Sequence, residues 1–212
     1  MLFIAQWYFW AQLLFLASLP LSLLVFRRLP DRGYPLAKSL GLLLPAFLLW
    51  VGASLRLWPN TAGTLLAIMG MLLATGLLAV WGRRGELTAF FREQRGLVLV
   101  TELLFAAAFG LWAVVRAYNP DILSAEKPMD MGLLNAVLRS RFFPPADPWL
   151  SGYPVNYYYF GFVAASLPLR LSGVAPSVGY NLALVHFFSL TALGVFSLAF
   201  NLVRLSGARW RV

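Results

Sequence analysis

Long apolar blocks separated by short basic turns constrain this chain more than any other feature of its sequence. Crossing about 30 Å of hydrocarbon takes roughly 20 apolar residues in a helix. Only a helix or a closed barrel can satisfy its own backbone there. Blocks of that kind occur at about 3–26, 39–58, 62–82, 96–116, 156–171 and 178–203. Charged residues make up 12% of the chain, hydrophobic ones 60%, and the mean hydropathy is +0.74. Soluble domains carry about a quarter charged residues, so this chain has too few to cover a water-facing surface. The expected fold is all-α, a polytopic transmembrane bundle of about six spans forming a single membrane domain over 1–212.

The first block begins Met1-Leu2-Phe3-Ile4 without a basic leader, outlasts a signal peptide, and runs directly into Arg27-Arg28. It is expected to stay in the membrane with its N-terminus outside. Pro20 and Pro45 fall inside spans, where they are tolerated as kinks. Arg27, Arg28, Arg32 and Lys38 follow span one, and Arg83, Arg84, Arg92 and Arg95 follow span three. Basic short loops face the cytoplasm, which places the turn at Trp58-Pro59-Asn60-Thr61 and the long 117–155 loop outside a cell membrane. The tail, with Arg204, Arg209 and Arg211, breaks the pattern, because six crossings would leave it outside. Either 156–171, which is short and contains Pro168, does not cross fully, or the charge rule fails there.

Trp7, Tyr8, Trp10, Trp50, Trp58, Trp81 and Trp112 lie near span ends, as in an interfacial aromatic belt. Gly70 and Gly76 suit close helix packing. The chain has no cysteine and one histidine, His186, which removes thiolate chemistry and argues against a histidine metal site. His186 reads as a neutral ring bonded across a helix interface. The net charge of +9 sits at span ends, so membrane lipids and not nucleic acid are the expected partners. Glu102, within span four, is a functional candidate because acids inside spans are expensive to retain.

The chemistry concentrates in the long loop. It holds Asp121, Glu126, Asp130 and Asp147, half of the eight acidic residues, against Arg116, Lys127, Arg139 and Arg141. Its aromatic and apolar content argues for order at the membrane surface. Pro128 suits the first turn of a helix at about 128–141, with Met129, Leu133, Ala136 and Val137 as an apolar stripe lying in the interface. Glu126 and Asp130 then fall one turn apart at its start. Acids there complement the helix dipole. Alternatively, one of them deprotonates an acceptor hydroxyl or binds a divalent cation on a phosphate leaving group. Asp147-Pro148-Trp149 reads as a turn capped by Asp147. Asn156 and at least one of Tyr157, Tyr158 and Tyr159 are expected to face a cleft and bond a polar ligand.

The string AEKPMDMGLLNAVLRSRFFPPADPWLSGYPVNYYYFG, at 125–161, resembles the tyrosine-triplet (YYY) polytopic membrane proteins, a bacterial and archaeal family of unknown function. Phe162 stands where the family pattern has a histidine. More distantly, the layout resembles the GT-C membrane glycosyltransferases, such as the protein mannosyltransferases and aminoarabinose transferases. That likeness implies a partial GT-C architecture using a polyprenyl-phosphate-linked sugar at the outer face. It implies Glu126 or Asp130 as the catalytic base or metal ligand; Lys127, Asp147, Asn156, Tyr157, Tyr158 and Tyr159 are the expected substrate contacts. It also implies a chain that is the N-terminal part of a larger protein. The non-catalytic alternative is a transporter or lipid-carrier half, or an assembly subunit.

Overall fold

The computed structural model describes residues 2–124 and 126–207, so Arg209 and Arg211 of the tail lie outside the described residues. Helix α1 spans Leu2–Val25, α2 Leu36–Ser54, α3 Ala62–Val80, α4 Arg84–Glu93, α5 Arg95–Tyr118, α6 Lys127–Arg139, α7 Phe160–Ser172 and α8 Pro176–Leu205. No strand occurs among the described residues. Five helical stretches have the length and apolarity to cross a membrane: α1, α2, α3 with its continuation to Glu93, α5 and α8.

Helix α1 is the central post, packed against α2, α3 and α7, while α5 pairs with α8. Close approach of α1 and α2 depends on Gly41, where a Cβ would meet the Leu14 carbonyl oxygen at 2.6 Å. A Cβ at Gly76 would likewise lie 3.0 Å from Pro20, but Gly70 has open space beside it and does not serve the packing expected of it. Trp7, expected at the interface, is instead fully buried between α1 and the α5–α8 pair. Pro20 and Pro45 lie within their helices as expected.

The bundle has two chemically distinct ends. At one end, the loop between α1 and α2 is tied to α8: the buried Asp31 carboxylate accepts from Ser197 Oγ, and its backbone N–H donates to Asn201 Oδ1 at 3.2 Å. Arg32 reaches Glu86 of α4 at 3.8 Å there. The basic residues after α1, those of α4 and Arg204 therefore share this end. At the other end, Asn60 donates from its side chain to the Val137 and Ser140 carbonyls at 2.8 and 2.9 Å. Its backbone N–H donates to Arg141 O at 2.8 Å. Those bonds fasten the long loop across the α2–α3 turn.

Segment 156–171, expected as a span, forms the short helix α7. Its 13 residues reach about 20 Å, short of the roughly 30 Å core. It begins where Trp50 Nε1 donates to Tyr159 Oη at 3.0 Å, and near its end Arg170 donates to the Leu138 carbonyl of α6 at 3.1 Å. Both contacts lie at the loop end, so α7 enters and leaves the bundle on one side. Helix α8 then carries Arg204 to the basic end.

Candidate functional site

The long loop is built as a cap. Pro128 sits in the first turn of α6, where its missing N–H costs nothing. The apolar stripe was expected to rest in the membrane interface. Instead Leu133, Leu134 and Val137 are buried against the bundle, Leu134 in the core cluster that includes Phe105 and Val137 in the one that includes Leu49. Gly132 admits the Trp149 ring, which would lie 2.9 Å from a Cβ there. Helix α6 is thus buried on the bundle side by this stripe, while Trp149 packs over Gly132.

The expected residues divide into three settings. Asp130 is half-buried, and its Oδ2 accepts from Tyr180 Oη of α8 at 3.1 Å. Glu126 is exposed at the N-cap position, one turn before it, with no side-chain capping bond. Tyr157 and Tyr158 are exposed and stacked at 3.9 Å between ring centres, with the Tyr157 hydroxyl donating to that of Tyr158. That bond, then desolvation and the neighbouring Tyr158, with smaller effects of Glu126 and Asp130, pushes the Tyr157 phenol up to about 12. Lys127 Nζ donates to the Asp121 carbonyl at 3.3 Å.

Two expected groups stand apart. Asp147 Oδ1 accepts from the backbone of Trp149 and Leu150 at 2.8 and 2.9 Å, so it is engaged as a turn cap. Tyr159 points inward, accepting from Trp50 and packing on Phe143. Asn156 is exposed. Among the described residues no three histidine, cysteine or acidic side chains gather as a metal cluster.

Beneath the cap, toward the basic end, lies a polar cluster that the sequence indicated only through Glu102. Lys38, expected in a loop, is buried inside the bundle and donates to Gln12 Oε1 at 2.7 Å and Glu102 Oε2 at 2.9 Å. Its ammonium also lies 4.1 Å from the Phe15 ring centre and 4.7 Å from that of Phe105. Tyr34 Oη donates to Glu102 Oε1 at 3.1 Å, and Gln12 Nε2 to Glu102 Oε2 at 3.2 Å. Burial, then the Glu102 charge, raises the Tyr34 phenol above its ordinary value. Every member is satisfied, which marks this cluster as a clasp holding α5 to α1 and α2. His186 meets Phe105 edge-on at 6.0 Å and makes no side-chain hydrogen bond among the described residues, in place of the bond expected across the interface.

At the loop end, the α5–α8 pair opens into a cavity of about 430 Å³ bordered by α1, with Arg116, Asp121 and Asn181 at its polar rim. Arg116 donates from Nε at 2.8 Å and from Nη2 to Asn181 Oδ1. Neither Arg116 nor Asn181 was singled out as a site residue from the sequence. Their signal was there: an arginine and an asparagine near the ends of two apolar blocks that pack together.

A family model described as uncharacterized membrane protein (DUF2298) matches residues 44–212, from within α2 through the cap to α8. The chain belongs to this family. It is an integral membrane protein, with membrane-spanning helices and family membership in agreement. No curated protein and no solved structure matches it. Within this family member the matched stretch contains Asp130, Tyr157, Arg116 and Asn181, while Gln12, Tyr34 and Lys38 precede it.

Proposed function

We propose that this membrane protein is a glycosyltransferase-like enzyme of the GT-C type that takes a sugar from a polyprenyl phosphate at the outer membrane face. The observation that carries the reading is Asp130, whose Oδ2 is held by Tyr180 Oη at 3.1 Å at the start of α6. The loop thus supplies a fixed carboxylate at one end and the exposed, stacked Tyr157–Tyr158 pair at the other. The charge rule supports the sidedness: the basic turns and Arg204 share one end, which becomes cytoplasmic. The cap and the α1 N-terminus then face outward.

In this reading Asp130, fixed by Tyr180, or the exposed Glu126 takes the acceptor's hydroxyl proton. The acceptor oxygen bonds to the sugar's anomeric carbon as its bond to phosphate breaks, and the polyprenyl phosphate leaves. Lys127 offsets charge on the phosphate, while Tyr157 and Tyr158 present faces and hydroxyls to the sugar. Asp147 and Asn156 border the approach, and Tyr159 positions the start of α7. Glu126 and Asp130 would also fit a divalent cation, because magnesium commonly takes one or two carboxylates and completes its shell with phosphate and water. Such an ion would supply charge neutralisation on the leaving phosphate.

The test is sugar transfer from a polyprenyl-phosphate sugar in proteoliposomes. Losing the base should lower the rate by about 10²–10⁴-fold in Glu126→Gln or Asp130→Asn. Unchanged transfer in both variants removes these acids from the mechanism. The non-catalytic reading, a transporter or lipid-carrier half or an assembly subunit, draws on the charged clasp inside the spans. Flux of the lipid or solute without transfer would favour it.

A further inference from the structure

We infer that the cavity between the α1 N-terminus, the α5 C-terminus and the α8 N-terminus binds the phosphate head of a membrane lipid, with Arg116 as its principal partner. The inference goes beyond the proposed activity, since it rests on the cavity's own geometry and stands whether or not a sugar is transferred.

The cavity is graded. Its rim carries Arg116, Asp121 and Asn181, whereas Ala113 and Val185 line it one turn deeper on α5 and α8. Going inward along α5 and α8 from Arg116 and Asn181, the lining residues Ala113, Leu182 and Val185 are all apolar. A small soluble anion has no use for apolar walls, but an amphiphile places its head at the rim and its chain below. The volume, about 430 Å³, lies within the roughly 300–1,000 Å³ typical of small-molecule sites. Ile4 also borders an adjoining groove of about 710 Å³ between α1 and α5, lined by Tyr8, Phe109 and Gly110. That groove offers space for a hydrocarbon chain.

Arg116 is prepared for an anion. Asn181 takes two of its N–H donors and is itself fixed, donating to the Pro120 and Ser177 carbonyls at 3.0 and 3.1 Å. The remaining guanidinium donors stay available. Among the described residues no carboxylate forms an ion pair with Arg116 within 4.0 Å. Arginine presents planar, paired donors that match phosphate. Lys127, bonded to the Asp121 carbonyl, adds a second cation beside the rim, so two positive charges face one carboxylate there. Ser177 places the positive end of the α8 dipole on the same rim.

The test uses the full chain in neutral detergent, with binding read by native mass spectrometry and by thermal shift. The probes are dioleoyl phosphatidic acid, a polyprenyl monophosphate, dioleoylglycerol and inorganic phosphate. Both phosphate-headed lipids should bind and stabilise, and whichever binds more tightly assigns the chain class. Dioleoylglycerol and inorganic phosphate should do neither. Arg116→Gln should weaken lipid binding by about tenfold or more, the scale of a lost charge-assisted bond. Because that change also releases Asn181, Ala117→Trp provides a second variant, filling the cavity with Arg116 intact, and should abolish binding. The inference is overturned by equal binding of dioleoylglycerol or by protection from inorganic phosphate alone. It is also overturned by wild-type lipid affinity in either folded variant.

Discussion

Replacing Glu102 by glutamine tests the clasp at its centre. The substitution keeps the size and two polar atoms of the side chain but strands the Lys38 ammonium, whose side chain is 2% exposed. Removing one partner of a fully buried pair costs about 3–5 kcal/mol, because the other charge stays desolvated. Two features reduce that here. The Glu102 side chain is 32% exposed, and Lys38 keeps its contacts with Gln12 and the two phenylalanine rings. We expect a loss of about 2–3 kcal/mol, or roughly 5–10 °C in Tm for a chain of this size. Lys38→Met should cost less, about 1–2 kcal/mol, since Glu102 retains donors from Tyr34 and Gln12 and partial exposure. The combined variant, Lys38→Met with Glu102→Gln, should lose less than the sum, because no charge is left unpaired. Reversible denaturation in micelles measures all three. Strict additivity, or a Glu102→Gln effect below about 0.5 kcal/mol, would refute the clasp.

Two further outcomes follow from the cap. Asn60→Ala leaves the Val137 and Ser140 carbonyls without their donor, at about 1–3 kcal/mol. Limited proteolysis should then cut within 119–156 sooner than in the wild type, and equal protection would count against the Asn60 tether. Tyr158→Phe removes the acceptor that holds the Tyr157 proton. The Tyr157 phenol, raised to about 12, keeps its proton and its bond below pH 10 and loses them as pH rises through about 12. In the variant its midpoint should fall toward 10, read by NMR of labelled tyrosine, and an unmoved midpoint would contradict the pairing.

Much of this fold was legible because membrane spans are written locally. Unbroken apolar length identified α1, α2, α3, α5 and α8, and Pro128 announced the start of α6. Segment 156–171 was ambiguous for a physical reason: its apolarity fits both a short crossing and a helix buried within protein. Contacts from Trp50 and Leu138, distant in sequence, decide between them. The site was less legible. Asp147 announced its turn, but Lys38 gave no sign of burial because its partner Glu102 lies 64 residues away. Arg116 reads as an interfacial anchor until α8 brings Asn181 beside it. Tertiary pairing of polar groups leaves little trace in a single sequence.

The claim on which the functional account rests is that the cap faces outward while every basic turn, with the α8 C-terminus, faces the cytoplasm. A chain without cysteine allows single-cysteine labelling in intact cells with a membrane-impermeant maleimide. Ser151→Cys should label before permeabilisation, and Thr88→Cys and Ser206→Cys only afterwards. Labelling of Ser206→Cys from outside, or protection of Ser151→Cys until the membrane is opened, would contradict it.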